Sequence, residues 1–448
     1  MLKFHRQAGG VICPACWKRT FLVCFILLLL LCLCVQHCLV AFHLHLNTGF
    51  VIQGRENGSF GLGLIHDVSP RVTFNRGPVM YALREGTSMV RVYNNNSAAG
   101  KNKEKVQVKI SWTSPSLDRP PFNVTEEERI KWFKNNLRSF KILHPDELSA
   151  QFSGKVKGFF KNCKPRFFMT WISHPKSFGP RELLSVESVF KWHPSACLLI
   201  ISRTMDSKKG EQILRPFVTR GLRVMAAAPD LGFLFKGTPA EAWLRVVAKG
   251  DIDPGEISFA QNLSNILRLA ALYKYGGIYI DSDIIILKLL SKLRNAIGAQ
   301  NVDPDNGTWN RLNNAVLMFD KGHPLVWKFI QEFALTFNGN KWGHNGPYLV
   351  TRVVTRVANR PGYDFQVLPP MAFYPVDWTR IYRYFKHPDG NVGIKWISAK
   401  LLQMENETYA VHLWNKQSRQ LEVEKDSIIH HIFNKCCLVC DHRHFFMK

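Results

Sequence analysis

The stretch Tyr273-Lys274-Tyr275-Gly276-Gly277-Ile278-Tyr279-Ile280-Asp281-Ser282-Asp283 constrains the fold more than any other segment of the chain. Upstream, Phe259, Leu263, Ile266, Leu267, Ala270 and Tyr273 recur at three- and four-residue spacing, the period of an amphipathic helix. Gly276-Gly277 reads as a helix stop, because glycine enters the left-handed cap conformation without a Cβ clash. Ile278-Tyr279-Ile280 predicts a short buried strand, with Asp281 and Asp283 where it runs out. In extended backbone, residues two apart point the same way, so the two carboxylates are expected to converge. Two hard oxygen donors at the open end of a sheet make half of a Mg²⁺ or Mn²⁺ site, to be completed by phosphate oxygens.

An Asp-x-Asp pair alone is weak evidence, since aspartates at this spacing are more often a solvated turn or a helix cap. Here a buried strand delivers the pair, and a second apolar run, Ile284-Ile285-Ile286-Leu287, follows at once. Carboxylates wedged between two buried segments need a partner to offset their desolvation, and a divalent cation is one.

With 448 residues, the chain holds either one large domain with appendages or two domains. Its 46% hydrophobic and 12% aromatic content excludes global disorder. The net charge of +25 suits nucleic acid, an anionic membrane, an acidic glycan or a nucleotide phosphate, and the N-terminus narrows that choice. From Thr20 to Phe42 the chain is almost wholly apolar, interrupted at Gln36 and His37, and long enough to cross a bilayer. Lys3, Arg6, Lys18 and Arg19 precede this run, whereas only Arg55 and Glu56 follow it closely, so the N-terminus is expected in the cytosol and the remainder in the lumen. A cleaved signal peptide is the rival reading. The length of the run and the poor cleavage site at Val40-Ala41-Phe42 favour an uncleaved anchor. A luminal chain does not meet nucleic acid, which leaves nucleotide-sugars, glycans and lipid head groups as partners.

Sequons at Asn57, Asn95, Asn123, Asn262, Asn306 and Asn406 suit a secretory protein, with Asn262 expected to stay bare inside the predicted helix. Cys13 and Cys16 lack the further ligands a zinc site needs, and Cys24, Cys32, Cys34 and Cys38 belong to the apolar run. The luminal cysteines are expected to form Cys163–Cys197 and Cys437–Cys440, leaving Cys436 over.

The expected order is a cytosolic tail (1–19), an anchor (20–42), a luminal stem (43–155) and a catalytic domain (156–448). The stem carries one helix, opened by a capping box from Thr125 to Glu128, with Ile130, Phe133, Leu137 and Phe140 on the face that packs onto the domain. Beyond residue 155, strands predicted at Phe167–Ile172, Cys197–Ser202 and Leu222–Met225 alternate with helices at Glu182–Trp192 and Gln212–Thr219. That alternation indicates a mostly parallel sheet, with ligands outside the carboxyl ends of its strands. Thr170 and Trp171 are therefore expected to share one crevice with Asp281 and Asp283, with Trp171 either stacking on a nucleotide base or serving as a core aromatic. Further on come a strand at Leu312–Phe319, a helix at Leu325–Phe337 and another at Tyr348–Val357. The turn Trp342–Pro347 either displays His344 and Asn345 or is an ordinary surface turn. Ala410–Asn415 predicts a strand whose His412 either adds an imidazole to the two carboxylates or is a core histidine.

The helix–Tyr-Gly-Gly–strand–Asp-x-Asp unit, the Trp342–Pro347 turn, Phe373-Tyr374-Pro375-Val376 and Ala410–Asn415 stand in the order seen in the α-1,4-glycosyltransferases. Over about residues 160–435 the chain resembles that family, glycosyltransferase family 32, and its plant members most. The resemblance implies a GT-A fold, which is Rossmann-like α/β with a mostly parallel sheet, in a type II Golgi membrane protein with one N-terminal transmembrane helix. It implies transfer of a hexose or N-acetylhexosamine from a UDP-linked donor, with retention, to form an α-1,4 linkage on a glycan or glycolipid acceptor. Asp281 and Asp283 resemble the pair that binds Mn²⁺ (or Mg²⁺) and the donor diphosphate, and His412 the C-terminal histidine associated with metal or diphosphate. Arg268 resembles the arginine that faces the donor sugar, and Thr170, Trp171, Tyr279, Asn313, His344 and Gly346 are expected to line the donor. Asn345 is the candidate for positioning the reacting face. Asn265 stands where many relatives carry aspartate, and Asn345 where galactosyltransferases of the family carry glutamine.

A phosphotransferase built on Asp-x-Asp would want a small-residue and lysine pattern that Ser282-Asp283-Ile284 does not supply. The alternative is a non-catalytic luminal protein that binds a sugar or nucleotide-sugar, against which the retention of Asp281, Asp283 and His412 together argues. The sequence names no catalytic base or nucleophile and leaves self-association open.

Overall fold

Two apolar runs form interior strands of the main sheet: β1 (Arg166–Thr170) and β2 (Cys197–Ile201), paired in parallel. Their side chains alternate between two cores. Phe167, Met169, Leu198 and Ile200 join one hydrophobic cluster, and Phe168, Leu199 and Ile201 join the other. The computed structural model describes residues 119–439 apart from 306, all within the compact unit Glu85–Lys448. The tail, the apolar run 20–42, most of the stem, the sequons at Asn57, Asn95 and Asn306, and Cys440 lie outside the described residues. No helix among the described residues is long and apolar enough to cross a membrane.

The sheet continues with β3 (Arg223–Ala227), β4 (Gly277–Ile280), β6 (Ala296–Val302), β7 (Trp309–Phe319) and β8 (Gln366–Leu368), in the order β3-β2-β1-β4-β7-β6-β8. Only β7 runs against its neighbours, so the expected mostly parallel sheet is present. The chain steps outward from β1 to β3 and then returns to β4 on the other side of β1. The carboxyl ends of β1 and β4 therefore flank a topological switch point, where open α/β sheets bind ligands. The apolar run after the aspartates leaves this sheet. It becomes β5 (Ile284–Ile286), which pairs antiparallel with β9 (Ala410–His412) and sets Ile284 opposite His412.

The helix Phe259–Tyr275 buries Phe259, Leu263, Ile266, Leu267 and Ala270, the face its period predicts. Its double-glycine stop works differently from the expected left-handed cap. Gly276 has φ +64° and ψ 156°, and a Cβ there would lie 2.5 Å from the Lys321 nitrogen. At Gly277 (φ +136°) a Cβ would lie 2.5 Å from the Arg166 carbonyl oxygen. Both glycines are required because backbone from two other segments passes within contact distance.

The stem helix, Glu126–Asn136, opens with the Thr125–Glu128 capping box. Phe133 is fully buried against Phe140 and Phe259, and Arg129 forms a two-pronged bond to Asp253 (2.8 and 2.7 Å). This helix, which lies in the span expected to be a stem, thus shares the core of the sheet. Cys163–Cys197 is the expected disulfide; Cys437 is also disulfide-bonded, and Cys436 is buried and free. Helices at Leu231–Phe235, Ala240–Lys249 and Gly390–Glu407, and strand β6, were not expected from the sequence.

Candidate active site

Asp281 and Asp283 do not lie along an extended strand. Asp281 follows β4 directly, its N–H bonded to the Ala315 carbonyl of β7, and the Ile284 N–H bonds back to the Asp281 carbonyl at 3.1 Å. Asp281 to Ile284 form a tight turn between two sheets, and the turn, not strand alternation, brings the carboxylates together. Strand pairing then supplies the imidazole, since His412 faces Ile284, the residue after Asp283. One ligand atom from each of Asp281, Asp283 and His412 lies within 4.8 Å of the others.

Each carboxylate is braced from behind. The Tyr279 hydroxyl donates to Asp281 Oδ1 (2.7 Å), and Arg268 Nη1 lies 3.0 Å from the same oxygen. Thr170 Oγ1 sits between Tyr279 OH (2.8 Å) and Ser264 Oγ (2.5 Å), so the end of β1 supports the tyrosine across the switch point. Arg268 also donates to the Asn314 carbonyl (2.7 Å) and to Ser264, and its guanidinium lies over the Tyr279 ring at 4.5 Å. Burial pushes the Tyr279 hydroxyl far above its ordinary range, so it stays a donor. Asp283 Oδ1 lies 3.3 Å from His412 Nε2, and Oδ2 accepts from the Asn415 N–H (2.9 Å). Burial would raise the Asp283 carboxyl, but His412 and the Asn415 N–H prevail and hold it below its ordinary value.

The Asn415 N–H points at Asp283 because Trp414 takes a left-handed conformation (φ 52°, ψ 55°), costly for a tryptophan and held here by packing. Its indole N–H bonds to the Val376 carbonyl (3.0 Å), and its ring lies 4.0 Å from that of His412. Behind Asn415 is a buried polar group. Glu182 accepts from Arg419 (2.7 Å), the Gly179 N–H and the Asn415 amide, while Arg181 reaches Ser418 and the Leu421 carbonyl. Burial pushes the Arg181 guanidinium down to about 10 and raises the Glu182 carboxyl.

The three donors fit a divalent cation. Two are oxygens and one is an imidazole nitrogen, a set that suits Mn²⁺. His412 Nδ1 is buried without a hydrogen-bond partner, an expense that only a ligand on that nitrogen would relieve.

Several expected donor contacts are placed elsewhere. Trp171 turns into the core, edge-on to Phe178 at 5.0 Å and 7% exposed, so it has no face to offer a base. Arg268 has every guanidinium nitrogen engaged by Asp281, Asn314 and Ser264 and acts on the site through Asp281, not as a free contact to the sugar. Asn313 faces Gln300 (3.0 Å) and the Ala315 N–H. Its neighbour Asn314 faces Asn265 (2.9 Å), because successive strand residues point to opposite sides.

Asn345 is 3% exposed and not displayed. Its amide donates to Asn262 Oδ1 (2.9 Å) and the Asn338 carbonyl (2.8 Å), and its oxygen accepts from the Asn338 N–H. It closes the loop instead of facing a substrate, and it does so on Asn262, whose burial agrees with a bare sequon. His344 is half-buried, with Nε2 on the Thr336 carbonyl (2.8 Å). Gly346 does border the site wall, since a Cβ there would lie 2.9 Å from Asn265 Oδ1 and 3.2 Å from Asn314 Nδ2. The sequence reading missed Ser264, Asn314 and Asn415 as supports. Ser264 and Arg268 lie four apart on one helix, which was a usable signal, whereas Asn415 depends on the Trp414 backbone and had none.

Two family models match the chain. Residues 179–303 match a glycosyltransferase sugar-binding region containing a DXD motif, and residues 318–443 match an alpha 1,4-glycosyltransferase conserved region. An uncharacterised protein of Arabidopsis thaliana is 31% identical over 302 residues, covering 66% of this chain and 45% of its own length. A lactosylceramide 4-alpha-galactosyltransferase of Pongo pygmaeus is 35% identical over 205 residues, 44% of this chain and 85% of that protein. A human alpha-1,4-N-acetylglucosaminyltransferase is 25% identical over 220 residues, 46% of this chain and 58% of that enzyme.

Proposed function

The chain belongs to the α-1,4-glycosyltransferase family, and on that premise we propose that it is a metal-dependent, retaining glycosyltransferase of the Golgi membrane. It moves a hexose or N-acetylhexosamine from a nucleotide-sugar, UDP-linked, to a glycan or glycolipid acceptor in α-1,4 linkage. The observation that carries this is the convergence of Asp281, Asp283 and His412 at the switch point of the sheet. The basic apolar N-terminus supports a type II anchor and a luminal catalytic domain.

A divalent cation bound by Asp281, Asp283 and His412 would supply neutralising charge for the diphosphate that leaves with the nucleotide. Tyr279 and Arg268 hold Asp281 on one oxygen, which aims the rest of the carboxylate at the site. The Asn415 N–H does the same for Asp283, and the Trp414 ring fixes the plane of His412. These supports keep the ligand set in place before the donor arrives, so little reorganisation accompanies binding. Gly346 allows the 338–346 loop to close onto Asn265 and Asn314, which form the wall beside Arg268 and Asp281. Asn265 is neutral where many relatives carry aspartate, so this wall presents an amide pair to the donor.

The test is nucleotide release by the full chain from a panel of nucleotide-sugars with Mn²⁺, with D283A as control. Release from one donor that is abolished by chelator and by D283A is expected. Donor binding without release from any member of the panel, by a folded chain offered a range of acceptors, would instead favour a non-catalytic sugar-binding protein.

A further inference from the structure

The helix Gly390–Glu407 buries only Ile397 and Met404 among its 18 residues, yet its outer side is not polar. Val392 is 82% exposed, Leu402 61% and Trp396 43%. At about 100° per residue from Ile397, Val392, Leu402 and Lys395 fall on the side away from the core, and Trp396 on its flank. Trp396 leans on the buried Tyr384 (6.3 Å between rings), and Tyr384 lies in the turn Tyr382–Phe385, where Tyr382 and Arg383 are exposed. The same surface runs back through Arg380 to the exposed Trp378, along turns closed by the Asp377–Arg380 and Arg380–Arg383 backbone bonds. It begins beside the site, since the Val376 carbonyl accepts from Trp414, which packs on His412.

We propose that this face docks on the surface of a lipid bilayer carrying anionic head groups. Tryptophan and tyrosine settle at the boundary between head groups and acyl chains, and an exposed aliphatic side chain such as Val392 enters the apolar layer. Arg380, Arg383 and Lys395 form no ion pair among the described residues, which leaves them for lipid phosphates. Of the acids around this face, Asp377 is taken up by Thr379 in its own turn, Asp389 stands at the helix start, and Glu405 and Glu407 lie in its last turn, so the contact is confined to the first turns of the helix and the segment before it. A second copy fits less well, because a two-fold contact would set these cations against themselves. A sugar chain would use the aromatic rings but not the aliphatic side chains. The proposal concerns a surface, stands independently of donor chemistry, and would bring the Asp281–His412 centre to the level of the head groups.

The test uses the full chain reconstituted into phosphatidylcholine vesicles with brominated acyl chains, with and without about 30% phosphatidylglycerol. Bromine quenches tryptophan only on contact with the acyl layer, and the chain has 12 tryptophans. Quenching is expected to increase with the anionic lipid. W378F/W396F should lose that increase while keeping its melting temperature, and R380A/R383A/K395A, which changes only exposed side chains, should lose its dependence on lipid charge. Equal quenching of the native chain and W378F/W396F in both kinds of vesicle would overturn the proposal. So would shielding of these tryptophans from aqueous iodide that grows with protein concentration in detergent, which would assign the face to a second copy.

Discussion

His412 Nε2 lies 3.3 Å from Asp283 Oδ1 because the β5–β9 register sets His412 opposite Ile284, immediately after the aspartate. A histidine from a strand near the C-terminus is thereby joined to a turn of the main sheet. Replacing it by alanine should leave both sheets intact, since the backbone pairing persists, and lower Mn²⁺-dependent nucleotide release about 10- to 100-fold. Metal titration of the activity checks this. An unchanged Mn²⁺ requirement in H412A would show that the imidazole is only a core group.

Tyr279→Phe removes one hydroxyl from a fully buried ring and frees Asp281 Oδ1 from its shortest bond. The expected cost in stability is about 1–2 kcal/mol, because Thr170 loses a partner as well. Metal affinity should fall about tenfold or more, because Asp281 is then held by Arg268 alone. Thermal melting and Mn²⁺ titration of the same sample separate the two effects.

The helix, its end at the double glycine and the strand after it were legible because each obeys a local rule of period or backbone conformation, although the need for both glycines comes from the passing backbone of Lys321 and Arg166. The geometry of the site was less so. Asp281 and Asp283 meet through a turn whose closing bond, Ile284 N–H to the Asp281 carbonyl, leaves no trace in composition. The sequence leaves Trp171 between stacking on a base and a core role, and the turn of Asn345 between display and an ordinary surface turn, because long-range partners decide both: Asn262 and Asn338 bind Asn345, and Phe178 covers Trp171. Strand β6 was missed because Ala296-Ile297-Gly298-Ala299 is poor in strand-forming side chains. Its Gly298 is kept small by the rings of Phe373 and Tyr374, against which a Cβ would lie at 2.6 and 2.8 Å.

Asn345→Ala should behave as a structural change. Three bonds of a buried amide are lost, at about 2–3 kcal/mol. Hydrogen exchange in residues 338–346 should quicken, and KM for the donor should rise more than kcat falls. Asn345→Gln should not raise activity, because a side chain one methylene longer cannot keep the same three bonds to Asn262 and the Asn338 backbone.

Glu332 joins the helices Pro324–Thr336 and Pro347–Val357 through Arg352 (3.0 Å) and Arg356. Burial would raise its carboxyl, but the two arginines prevail and hold it below the ordinary 4.5. A carboxyl depressed in the folded state contributes stability above its unfolded value and loses it as pH falls through the folded one. The melting temperature of the native chain should therefore exceed that of E332Q at pH 7, with the gap closing below about pH 4.5. A gap that stays constant into acid would contradict the pairing.

The most direct test of the account is the electron paramagnetic resonance of Mn²⁺ titrated into the full chain with a nucleoside diphosphate present. The free-ion signal should report one bound Mn²⁺ per chain, with affinity that increases when the diphosphate is added. D281N/D283N, folded by circular dichroism, should bind none. Equal Mn²⁺ binding by the native chain and D281N/D283N would place the metal elsewhere and contradict the assignment of Asp281, Asp283 and His412 as its ligands.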